Sequence, residues 1–386
     1  SHIKSSVKPV LYVGGGCLNS GLKASEELIK FAELTNIPVT TTLHGLGCYP
    51  GNGKLSIGML GMHGTYEANL AMHNCDLMIN VGARFDDRIT GRLDAFSPNS
   101  TKFHFDIDKS SINKNVNVDF STNTDIAHAL SALNLYIKSN NIEFNHNQIS
   151  NWWGQIKEWQ KTNCLNYEQG DEIIKPQHAI ARLNELTKNK ETIVTTEVGQ
   201  HQMWAAQYFQ FNKPNSWITS GGLGTMGFGM PAAIGAQMAN PDALVIDIAG
   251  EASFLMNIQE IATAVQYKLP IKIFILNNEY MGMVRQWQEL MHGSRYSESY
   301  VDALPDFVKL AESFHAVGLR AKNLSELDDT INEMMSVNRP VIVDVWVDKK
   351  ENVFPMIPSG AAHNEMLLSK YDKEKPENQE KGKVLV

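Results

Sequence analysis

A carboxylate and an amide stand just beyond two apolar runs in the second half of the chain. Ala243–Ile248 is a buried-strand pattern that leads to Glu251, and Ile271–Leu276 is a second one that leads to Asn278. If these strands are adjacent and parallel, both side chains lie at the carboxyl edge of the sheet, where open α/β sheets bind ligands. Carboxylate and amide oxygens suit Mg²⁺, which takes its other ligands from phosphate and water. The spacing therefore predicts a Mg²⁺–phosphate site that contains Glu251 and Asn278.

The residues next to Glu251 also favour an anion. Gly250 has no side chain, so the backbone can approach a phosphate closely at this point. The helix pattern that follows would turn its N-terminus toward negative charge. For Gly250 and Glu251 alone, an ordinary strand-end turn with a helix cap is the alternative. The presence of Asn278 at the end of a second strand favours the metal site.

Alternating strand and helix patterns in both halves of the chain would position these residues. Such alternation, with glycine at strand ends, predicts α/β domains built on doubly wound parallel sheets. We expect two of them, at residues 1–138 and 171–386, joined by a polar linker at 139–170. The tail Lys370–Lys383 alternates charges, and we expect it to be mobile or to order only over a ligand.

Hydrophobic periodicity gives approximate positions for the elements of both domains. In the first domain we predict strands at Pro9–Val13, Val39–Thr42, Leu77–Val81 and Phe103–Ile107, and helices at Ala24–Ala32, Tyr66–Asn74 and Ile126–Tyr136. The linker contains the amphipathic segment Trp152–Gln160. In the second domain we predict strands at Thr192–Thr195, Ala243–Ile248, Ile271–Leu276 and Pro340–Val347, and helices at Pro176–Thr187, Gly229–Met238, Ile258–Gln266, Asp306–Phe314 and Leu324–Met335.

The composition is that of a globular protein, and it excludes several classes of function. The 386 residues include 43% hydrophobic and 20% charged residues, and the formal net charge is -8. No overall positive field therefore attracts nucleic acid, and no apolar stretch is long enough to span a membrane. Cys17, Cys48, Cys75 and Cys164 show no Cys-x-x-Cys spacing, so we expect reduced thiols. We expect a cytoplasmic or plastid-like protein that is not secreted.

The turn Gly250-Glu251, followed by Asn277-Asn278, resembles the metal–diphosphate signature of enzymes that use thiamine diphosphate (ThDP). Four further blocks are similar to the catalytic large subunits of the acetohydroxyacid synthase (acetolactate synthase) family. The resemblance covers nearly the whole chain. The four blocks are Glu197–Trp204, Thr219–Gly227, Met281–Gln288 and Glu351–Pro358.

The resemblance implies a role for each matching residue of the second domain. Mg²⁺ would be bound by the side chains of Glu251 and Asn278 and by the backbone carbonyl of Tyr280. Met226 would hold the cofactor in a bent form, and the carbonyl of Gly224 would orient the amino group of its aminopyrimidine. The residues that would contact the diphosphate are Gln200, His201, Gly250, Ala252 and Ser253. Those that would line the reacting centre are Val198, Met226, Met283 and Val284, and Trp287 would shape the pocket for a second 2-ketoacid.

Taken singly, these residues have simpler interpretations. Met226 and Val284 could be core side chains, Trp287 a packed interface aromatic, and His201 an ordinary core or surface histidine. One position also departs from the family, whose usual metal ligand is Asp, because Glu251 reaches up to about 1.5 Å farther. For Mg²⁺ to keep its short bonds, the loop backbone would have to retreat or a water molecule would have to intervene.

The first domain resembles the domain of the same family that binds flavin adenine dinucleotide (FAD). Gly14-Gly15-Gly16 alone is a weak signal, since its spacing gives no Gly-x-Gly-x-x-Gly fingerprint. The resemblance implies an extended, mainly structural FAD. The matching residues are Gly14, Gly15, Thr42, Leu43, Leu60, Gly61, Met62, His63, Gly82, Arg84, Asp86, Arg88, Asp106, Ile107 and Asp125.

Charge gives partial physical support for this flavin site. Arg84 and Arg88 could offset the negative charge of the dinucleotide, although a surface salt-bridge network is the alternative. Asp106 could accept hydrogen bonds from a ribose. Asp125 matches a second acid of the family near the adenosine, but Thr124 stands where the family has glycine.

The resemblance implies acetolactate synthase activity, in which pyruvate is decarboxylated and condensed with a second pyruvate or with 2-ketobutyrate. This is the first common step of valine, leucine and isoleucine synthesis. ThDP, Mg²⁺ and FAD would be the cofactors, and a homodimer or homotetramer with a regulatory small subunit the assembly. The alternatives are another ThDP enzyme (pyruvate oxidase, glyoxylate carboligase or a 2-ketoacid decarboxylase) and a non-catalytic cofactor-binding fragment.

The sequence begins Ser-His-Ile and runs directly into a strand pattern, which we interpret as a fragment or a processed product. In the family, the catalytic glutamate lies in an N-terminal domain that would precede residue 1. We therefore expect these 386 residues alone to bind their cofactors weakly and to be poorly active.

Overall fold

The computed structural model describes residues 1–374, which form two compact units. The first unit comprises Ser1–Asn166, Phe211–Pro214 and the described residues from Phe354 onward, and the second comprises Tyr167–Gln210 and Asn215–Val353. Lys370–Glu374 forms a short helix. The rest of the tail that we predicted to be mobile lies outside the described residues.

A parallel sheet forms the centre of the first unit. Its strands are β1 (Pro9–Val13), β2 (Val39–Thr41), β3 (Ser56–Met59), β4 (Leu77–Val81), β5 (Thr101–Asp106) and β6 (Phe120–Asn123). Their order is β3-β2-β1-β4-β5-β6, and all the pairings are parallel. The chain runs to one side of β1 and then returns to β4 on its other side. Such a reversal opens a crevice at the carboxyl ends of the strands, and this strand order is the one that binds dinucleotides.

Helices cover both faces of this sheet, so β1 and β4 are buried along their whole length. α3 turns Ala24, Leu28 and Phe31 toward the sheet, as its periodicity predicts. The α-helices of the first unit are α1 (His2–Ser5), α2 (Gly15–Asn19), α3 (Leu22–Thr35), α4 (Tyr66–Asn74), α5 (Asp87–Thr90), α6 (Ile126–Ser139) and α7 (Ser150–Gln160), and the final α16 is Lys370–Glu374.

The second unit repeats the architecture with a different strand order. Its strands are β7 (Thr192–Thr196), β8 (Trp217–Thr219), β9 (Leu244–Ala249), β10 (Lys272–Asn277), β11 (Val317–Ala321) and β12 (Val341–Trp346). They lie in the order β11-β12-β10-β9-β7-β8, again with parallel pairings. The chain leaves β7 for β8 and returns to β9 on the opposite side. The loops after β7 and β9 therefore flank the reversal, where ligands bind in open sheets.

The α-helices of this unit pack on both faces of the sheet, and the central strands β9 and β10 are almost completely buried. They are α8 (Pro176–Thr187), α9 (Gln200–Tyr208), α10 (Gly229–Ala239), α11 (Glu251–Phe254), α12 (Ile261–Gln266), α13 (Gly282–Met291), α14 (Phe307–Ser313) and α15 (Leu324–Ser336). The predicted fold class, two doubly wound parallel α/β domains, is thereby confirmed.

Some elements differ from those predicted. Strands β3, β6, β8 and β11 were not predicted because none presents a long apolar run: all four residues of β6 are exposed, β8 has three residues, and β11 is only half-buried. The helix expected at Ile258–Gln266 begins at Ile261, because Leu255–Glu260 forms a 3₁₀ helix with a non-helical residue, Asn257.

The segment assigned to a linker packs on the first unit instead. Trp152 and Ile156 of α7 are 2% and 0% exposed, and they belong to the core that lies over one face of the first sheet. The indole Nε1 of Trp152 donates a hydrogen bond to the carbonyl of Pro9 at 3.1 Å. The amphipathic pattern of Trp152–Gln160 was recognised in the sequence, but the polar residues around it led to its assignment as a linker. The contacts place residues 139–166 with the first unit.

Residues after Val353, which we assigned to the second domain, also pack on the first unit. The amide of Ile357 donates to the carbonyl of Met62 at 2.8 Å. The Nε2 of buried His363 donates to the carbonyl of Ile89 at 2.6 Å. The contact between His363 and Ile89 joins residues 274 positions apart in the chain, so no local pattern could have shown it.

Within residues 1–374, no helix combines the length and the apolar character that a membrane crossing requires.

Candidate cofactor sites

Glu251 and Asn278 lie side by side at the carboxyl ends of neighbouring strands. Strands β9 and β10 pair in parallel, with Ala249 opposite Ile275. The Oε1 of Glu251 and the Oδ1 of Asn278 both accept a hydrogen bond from the amide of Tyr280, at 2.8 and 3.1 Å. The two side chains are 1% and 5% exposed. The two oxygens are thus neighbours in a buried site, as two ligands of one metal ion would be.

A cation would stabilise the ionised form of the buried Glu251 carboxyl. Burial raises the pKa of its carboxyl to about 8, although the backbone N–H groups of Tyr280 and Asn278 act in the opposite direction. A carboxylate that loses its proton here needs a positive partner to offset its lost hydration. A divalent cation would supply that charge, so the residues present fit a Mg²⁺ ion.

The side chain of Glu251, longer by one methylene than the aspartate of the family, reaches the neighbouring loop. Glu251 is the first residue of α11, and its carboxylate extends to the backbone that follows β10. Within the described part of the chain, no group of three or more His, Cys, Asp or Glu side chains could hold a metal. A site here would therefore combine one carboxylate with amide, carbonyl and phosphate oxygens, which is the ligand set that suits Mg²⁺.

His201 presents an unpartnered nitrogen beside this point. Its ring is 6% exposed, and its Nε2 has no hydrogen-bond partner. Burial lowers its pKa to about 3, so the ring is neutral at pH 7. A Cβ added at Gly250 would come within 2.7 Å of the ring Nδ1. The glycine thus leaves space around a buried hydrogen-bonding group, and this arrangement fits a phosphate oxygen.

One pocket of the second unit brings together most of the residues predicted for ThDP. Its walls are formed by the loops that follow β7, β8, β9 and β10. The predicted residues that line it are Val198, Gln200, His201, Met226, Gly250, Glu251, Ala252, Ser253, Asn278, Tyr280, Met283 and Val284. Gly224 does not line the pocket; it has φ +65 and lies nearest to Val198.

Trp287 faces a different space. It lines an open cleft of about 630 Å³ together with Met283 and Val284, which border both the cleft and the ThDP pocket. The same cleft is also lined by the side chains of His292 and Arg295. The structure therefore places Trp287 one helical turn from the reacting-centre residues, in a space that continues from theirs.

Glu197, to which we gave no role, holds the loop that carries Met226. Its carboxylate accepts hydrogen bonds from the amides of Gly227 at 2.6 Å and Met230 at 3.0 Å. It is fully buried next to Asp247, and burial raises the pKa of both carboxyls. Glu197 stood inside a quoted motif block, but its partners lie some thirty residues away along the chain and could not be read from spacing.

In the first unit, the residues predicted for FAD follow all six strands. They therefore lie along one edge of the sheet, which is the edge with the β1–β4 reversal. Gly14 and Gly15 follow β1, Thr42 and Leu43 follow β2, Leu60, Gly61, Met62 and His63 follow β3, Gly82, Arg84, Asp86 and Arg88 follow β4, Asp106 and Ile107 end β5, and Asp125 follows β6.

The glycines that follow β1 and β4 are also explained by the close approach of the two strand ends. A Cβ at Gly14 would come within 2.4 Å of the carbonyl oxygen of Gly82, and one at Gly16 within 2.8 Å of the same oxygen. Asn80, which we did not predict, holds the adjacent turn through two hydrogen bonds to Ala83. This close approach of two strand ends brings backbone, rather than side chains, to the crevice.

Several predicted FAD contacts already have protein partners. Arg84 pairs with Asp86, and Arg88 pairs with Asp87 at 2.9 Å, both at exposed positions. Each arginine therefore forms a local ion pair, and its role toward FAD stays a prediction. The carboxylate of Asp106 accepts from the amide of Asp108. Asp125 caps α6 and accepts from Ser20.

Asn69, which we did not predict, and the predicted residues His63 and Ile107 also lie at this edge. Asn69 is fully buried and exchanges two hydrogen bonds with the backbone of Gly61, which has φ +104. His63 is buried and its Nδ1 donates to the carbonyl of Pro355 at 3.0 Å. Ile107 stays 69% exposed at the end of β5. An exposed apolar side chain at the edge of the crevice is consistent with a ring lying over it.

Two buried histidines should make the first unit sensitive to acid. Burial lowers the pKa of His63 and of His363 to about 4, against about 6.5 in an unfolded chain. Both are neutral in the folded unit, so their contribution to stability is complete above pH 6.5 and is lost as the pH falls toward 4. We expect His363→Asn to reduce the slope of the unfolding free energy against pH in this range by up to about 1.4 kcal/mol per pH unit.

Unfolding free energies of the first unit, measured in denaturant from pH 7 to pH 4 with hydrogen exchange as the probe, would show the difference in slope. Identical slopes for the wild type and His363→Asn would contradict the prediction.

Comparison with known proteins assigns both units. Residues 1–133 match the family described as "Thiamine pyrophosphate enzyme, central domain". Residues 197–345 match "Thiamine pyrophosphate enzyme, C-terminal TPP binding domain". The family predicted from the motif blocks is thereby confirmed, and so are ThDP, Mg²⁺ and FAD as the cofactors typical of that family.

Individual relatives give the same result. The chain is 46% identical over 369 residues to the acetolactate synthase isozyme 3 large subunit of Escherichia coli (strain K12), covering 95% of this chain and 64% of the relative. It is 48% identical over 366 residues to the acetolactate synthase large subunit of Buchnera aphidicola subsp. Schizaphis graminum, covering 94% and 63%. For acetolactate synthase 1, chloroplastic, of Zea mays the identity is 43% over 373 residues, covering 95% and 58%.

The chain thus spans less than two thirds of the length of these relatives. Within that span the similarity includes both sheets and the loops at their carboxyl edges. The chain belongs to the thiamine pyrophosphate enzymes, and within them it is a homologue of acetolactate synthase large subunits.

Proposed function

We propose that the whole protein is an acetolactate synthase, which decarboxylates pyruvate and joins the remaining two-carbon unit to a second 2-ketoacid, either pyruvate or 2-ketobutyrate. The observation that carries this proposal is the convergence of Glu251 and Asn278 on one amide inside the pocket that also contains Val198, Met226 and Met283. The relatives, all named as acetolactate synthases, supply the choice of reaction.

The residues of the pocket would have different roles according to where they lie in it. Glu251, Asn278 and the carbonyl of Tyr280 would hold Mg²⁺, and Gln200, His201 and the turn Gly250–Ser253 would bind the diphosphate. When bound, ThDP supplies the electron-sink chemistry by which a 2-ketoacid loses CO₂. The protein contributes binding, orientation and the exclusion of water.

Apolar side chains would define the reacting centre. Val198, Met226 and Met283 line the pocket, and we propose that they keep water from the reacting carbon and support the bent cofactor. Val284 and Trp287 would shape the neighbouring cleft for the second 2-ketoacid. An apolar, largely dry site strengthens electrostatic interactions with the groups that change charge during the reaction.

For the first unit we propose a structural role for FAD, extended along the edge where all six strands end. The close approach of Gly14 to Gly82 keeps side chains away from this part of the edge, and Ile107 offers an apolar surface. Since the net reaction is not a redox reaction, the flavin would stabilise the fold. Visible absorbance of the purified protein would test flavin binding directly.

We further propose an assembly and a location for the whole protein. Its relatives are named as large subunits in bacteria and as chloroplastic proteins in maize. We therefore propose a homodimer or homotetramer with a regulatory small subunit, in the cytoplasm of a bacterium or in a plastid. The net charge of -8 supports small-molecule substrates rather than nucleic acid.

The products formed from pyruvate test the proposed function. The whole protein, with ThDP, Mg²⁺ and FAD, should form acetolactate. Acetyl phosphate as the product would indicate a pyruvate oxidase, and acetaldehyde would indicate a decarboxylase. Either outcome would contradict the proposal.

A further inference from the structure

We propose that Gln286 is a positioning residue for the metal site: it fixes the orientation of the Gln200 side-chain amide, and through Gln200 it directs the Oδ1 of Asn278 toward the ion. The three side chains form a continuous series of hydrogen bonds, which we call the amide chain Gln286–Gln200–Asn278. The inference rests on the proposed Mg²⁺ site at Glu251 and Asn278. Gln286 itself would not touch the ion.

The backbone of Val353 determines which end of the Gln286 amide is the oxygen. The amide of Val353 donates to the Oε1 of Gln286 at 2.7 Å, and the Nε2 of Gln286 donates to the carbonyl of Val353 at 3.2 Å. A backbone N–H can only donate and a backbone carbonyl can only accept. If the Gln286 amide were rotated by half a turn, two donors and two acceptors would face each other, so only one orientation satisfies both contacts.

The orientation of the Gln286 amide in turn determines the orientation of the Gln200 amide. The Nε2 of Gln200 donates to the Oε1 of Gln286 at 2.9 Å and to the backbone carbonyl of Glu351 at 3.0 Å. Both partners are acceptors, so the nitrogen of Gln200 must lie on this side. Its Oε1 then faces Asn278 and accepts from the Nδ2 of Asn278 at 3.3 Å.

The last step places the oxygen of Asn278 at the proposed ion. With its nitrogen held by Gln200, Asn278 presents Oδ1 at the point where Glu251 also presents an oxygen, and the amide of Tyr280 donates to both. An amide can coordinate Mg²⁺ only through its oxygen. A reversed Asn278 would turn an NH₂ group toward the cation.

Burial makes the amide chain sensitive to the loss of one member. Gln286, Gln200 and Asn278 are 0%, 2% and 5% exposed, so water has little access to replace a missing partner. A Cβ at Gly282 would come within 2.1 Å of the Oε1 of Gln200 and 2.9 Å of the Nδ2 of Asn278. Only glycine at that position leaves the two amides free to meet.

A buried arginine holds the backbone segment to which the amide chain is anchored. One terminal nitrogen of Arg285 donates to the carbonyl of Glu351 at 2.6 Å and to the Oδ1 of Asn352 at 2.7 Å. The guanidinium is 2% exposed. The segment Glu351–Val353 is therefore a fixed reference for the orientation of the amides.

The test measures divalent-ion affinity rather than turnover. Mn²⁺ binding in the presence of ThDP is followed by electron paramagnetic resonance for the full chain. We expect Gln286→Met to weaken Mn²⁺ binding by about 10–100-fold, the usual cost of losing a residue that orients a metal ligand. Gln286→Glu keeps an acceptor oxygen for the amide of Val353 and the Nε2 of Gln200, and it should retain wild-type affinity.

Gln237→Met is the matched control. Gln237 is 2% exposed, and its Nε2 donates to the backbone carbonyls of Asn240, Pro241 and Ala243 after α10. This substitution also removes a buried glutamine that is bonded to backbone, but it leaves the amide chain intact. It should lower stability without changing Mn²⁺ affinity.

A double-mutant cycle with Asn278→Asp separates orientation from general structure. A carboxylate has an oxygen at both ends, so its orientation no longer matters. We expect Gln286→Met to weaken Mn²⁺ binding in the Asn278 background and to have little effect in the Asn278→Asp background. An equal loss in both backgrounds, or no loss in either, would overturn the inference.

Two further outcomes are also decisive. If Gln286→Met does not fold, Gln286→Asn, which stays polar but is too short to reach both Val353 and Gln200, should show the same selective loss. If the wild type itself binds no Mn²⁺ with ThDP, the proposed metal site fails. That result is distinguishable from wild-type binding that Gln286→Met leaves unchanged.

Discussion

Replacing Glu251 by alanine is expected to lower the affinity of the protein for ThDP in the presence of Mg²⁺ by more than about 100-fold, since even residues that only orient metal ligands are worth about 10–100-fold. Glu251 supplies the one charged side chain at the proposed metal site, and its carboxylate is 1% exposed. Without it, Asn278 and a backbone carbonyl would have to hold the ion alone. Calorimetric titration of ThDP with and without Mg²⁺ would measure the change.

Two variants control this measurement. Glu251→Asp keeps a carboxylate on the same turn and should retain Mg²⁺-dependent binding. Glu312→Ala removes an exposed carboxylate of the same unit and should bind ThDP as the wild type does. If Glu251→Ala bound ThDP with undiminished dependence on Mg²⁺, the metal would have to lie elsewhere.

Trp152→Ala should destabilise the first unit by about 3–5 kcal/mol, the range typical of removing a large aromatic side chain from a core. Trp152 is 2% exposed, its ring meets the edge of Trp159, and its indole nitrogen donates to the carbonyl of Pro9. The substitution would therefore leave a cavity and an unpaired backbone carbonyl at the start of β1. Denaturant unfolding, followed by hydrogen exchange in the first unit, would measure the loss.

Tyr136→Ala is the control for this prediction, because Tyr136 is an aromatic residue of the same unit that is 62% exposed. It should change stability by no more than about 0.5 kcal/mol. A Trp152→Ala variant as stable as Tyr136→Ala would mean that residues 139–166 behave as the linker that their composition suggested.

The predictions that succeeded depended on short-range patterns. β9 and β10 are apolar runs followed closely by Glu251 and Asn278, so their carboxyl ends could be read from the sequence, and the structure shows that the two strands are neighbours. Because parallel strands place their carboxyl ends on one edge, the meeting of Glu251 with Asn278 followed from topology. The edge strands β6 and β11 lack such a run, since one face or both remain in contact with solvent.

The contacts that were not predicted join residues far apart in the chain. Glu197 reaches Gly227 and Met230, and Gln286 meets the backbone of Val353. A polar residue inside a motif block gives no sign of its partner, because the pairing depends on how the loops fold back over the sheet. The packing of Trp152 was missed for a similar reason: the amphipathic pattern of its segment does not show which surface the apolar face covers.

The central claim is that Glu251 and Asn278 jointly bind one Mg²⁺ that holds the diphosphate of ThDP. A crystal structure of the protein with ThDP and Mg²⁺, repeated with Mn²⁺ to locate the ion by its anomalous scattering, tests this most directly. The account predicts one ion with oxygen ligands at about 2.0–2.1 Å, among them a carboxylate oxygen of Glu251 and the Oδ1 of Asn278. Ordered ThDP with the ion bound by other residues, or with the Asn278 amide nitrogen facing it, would contradict the account.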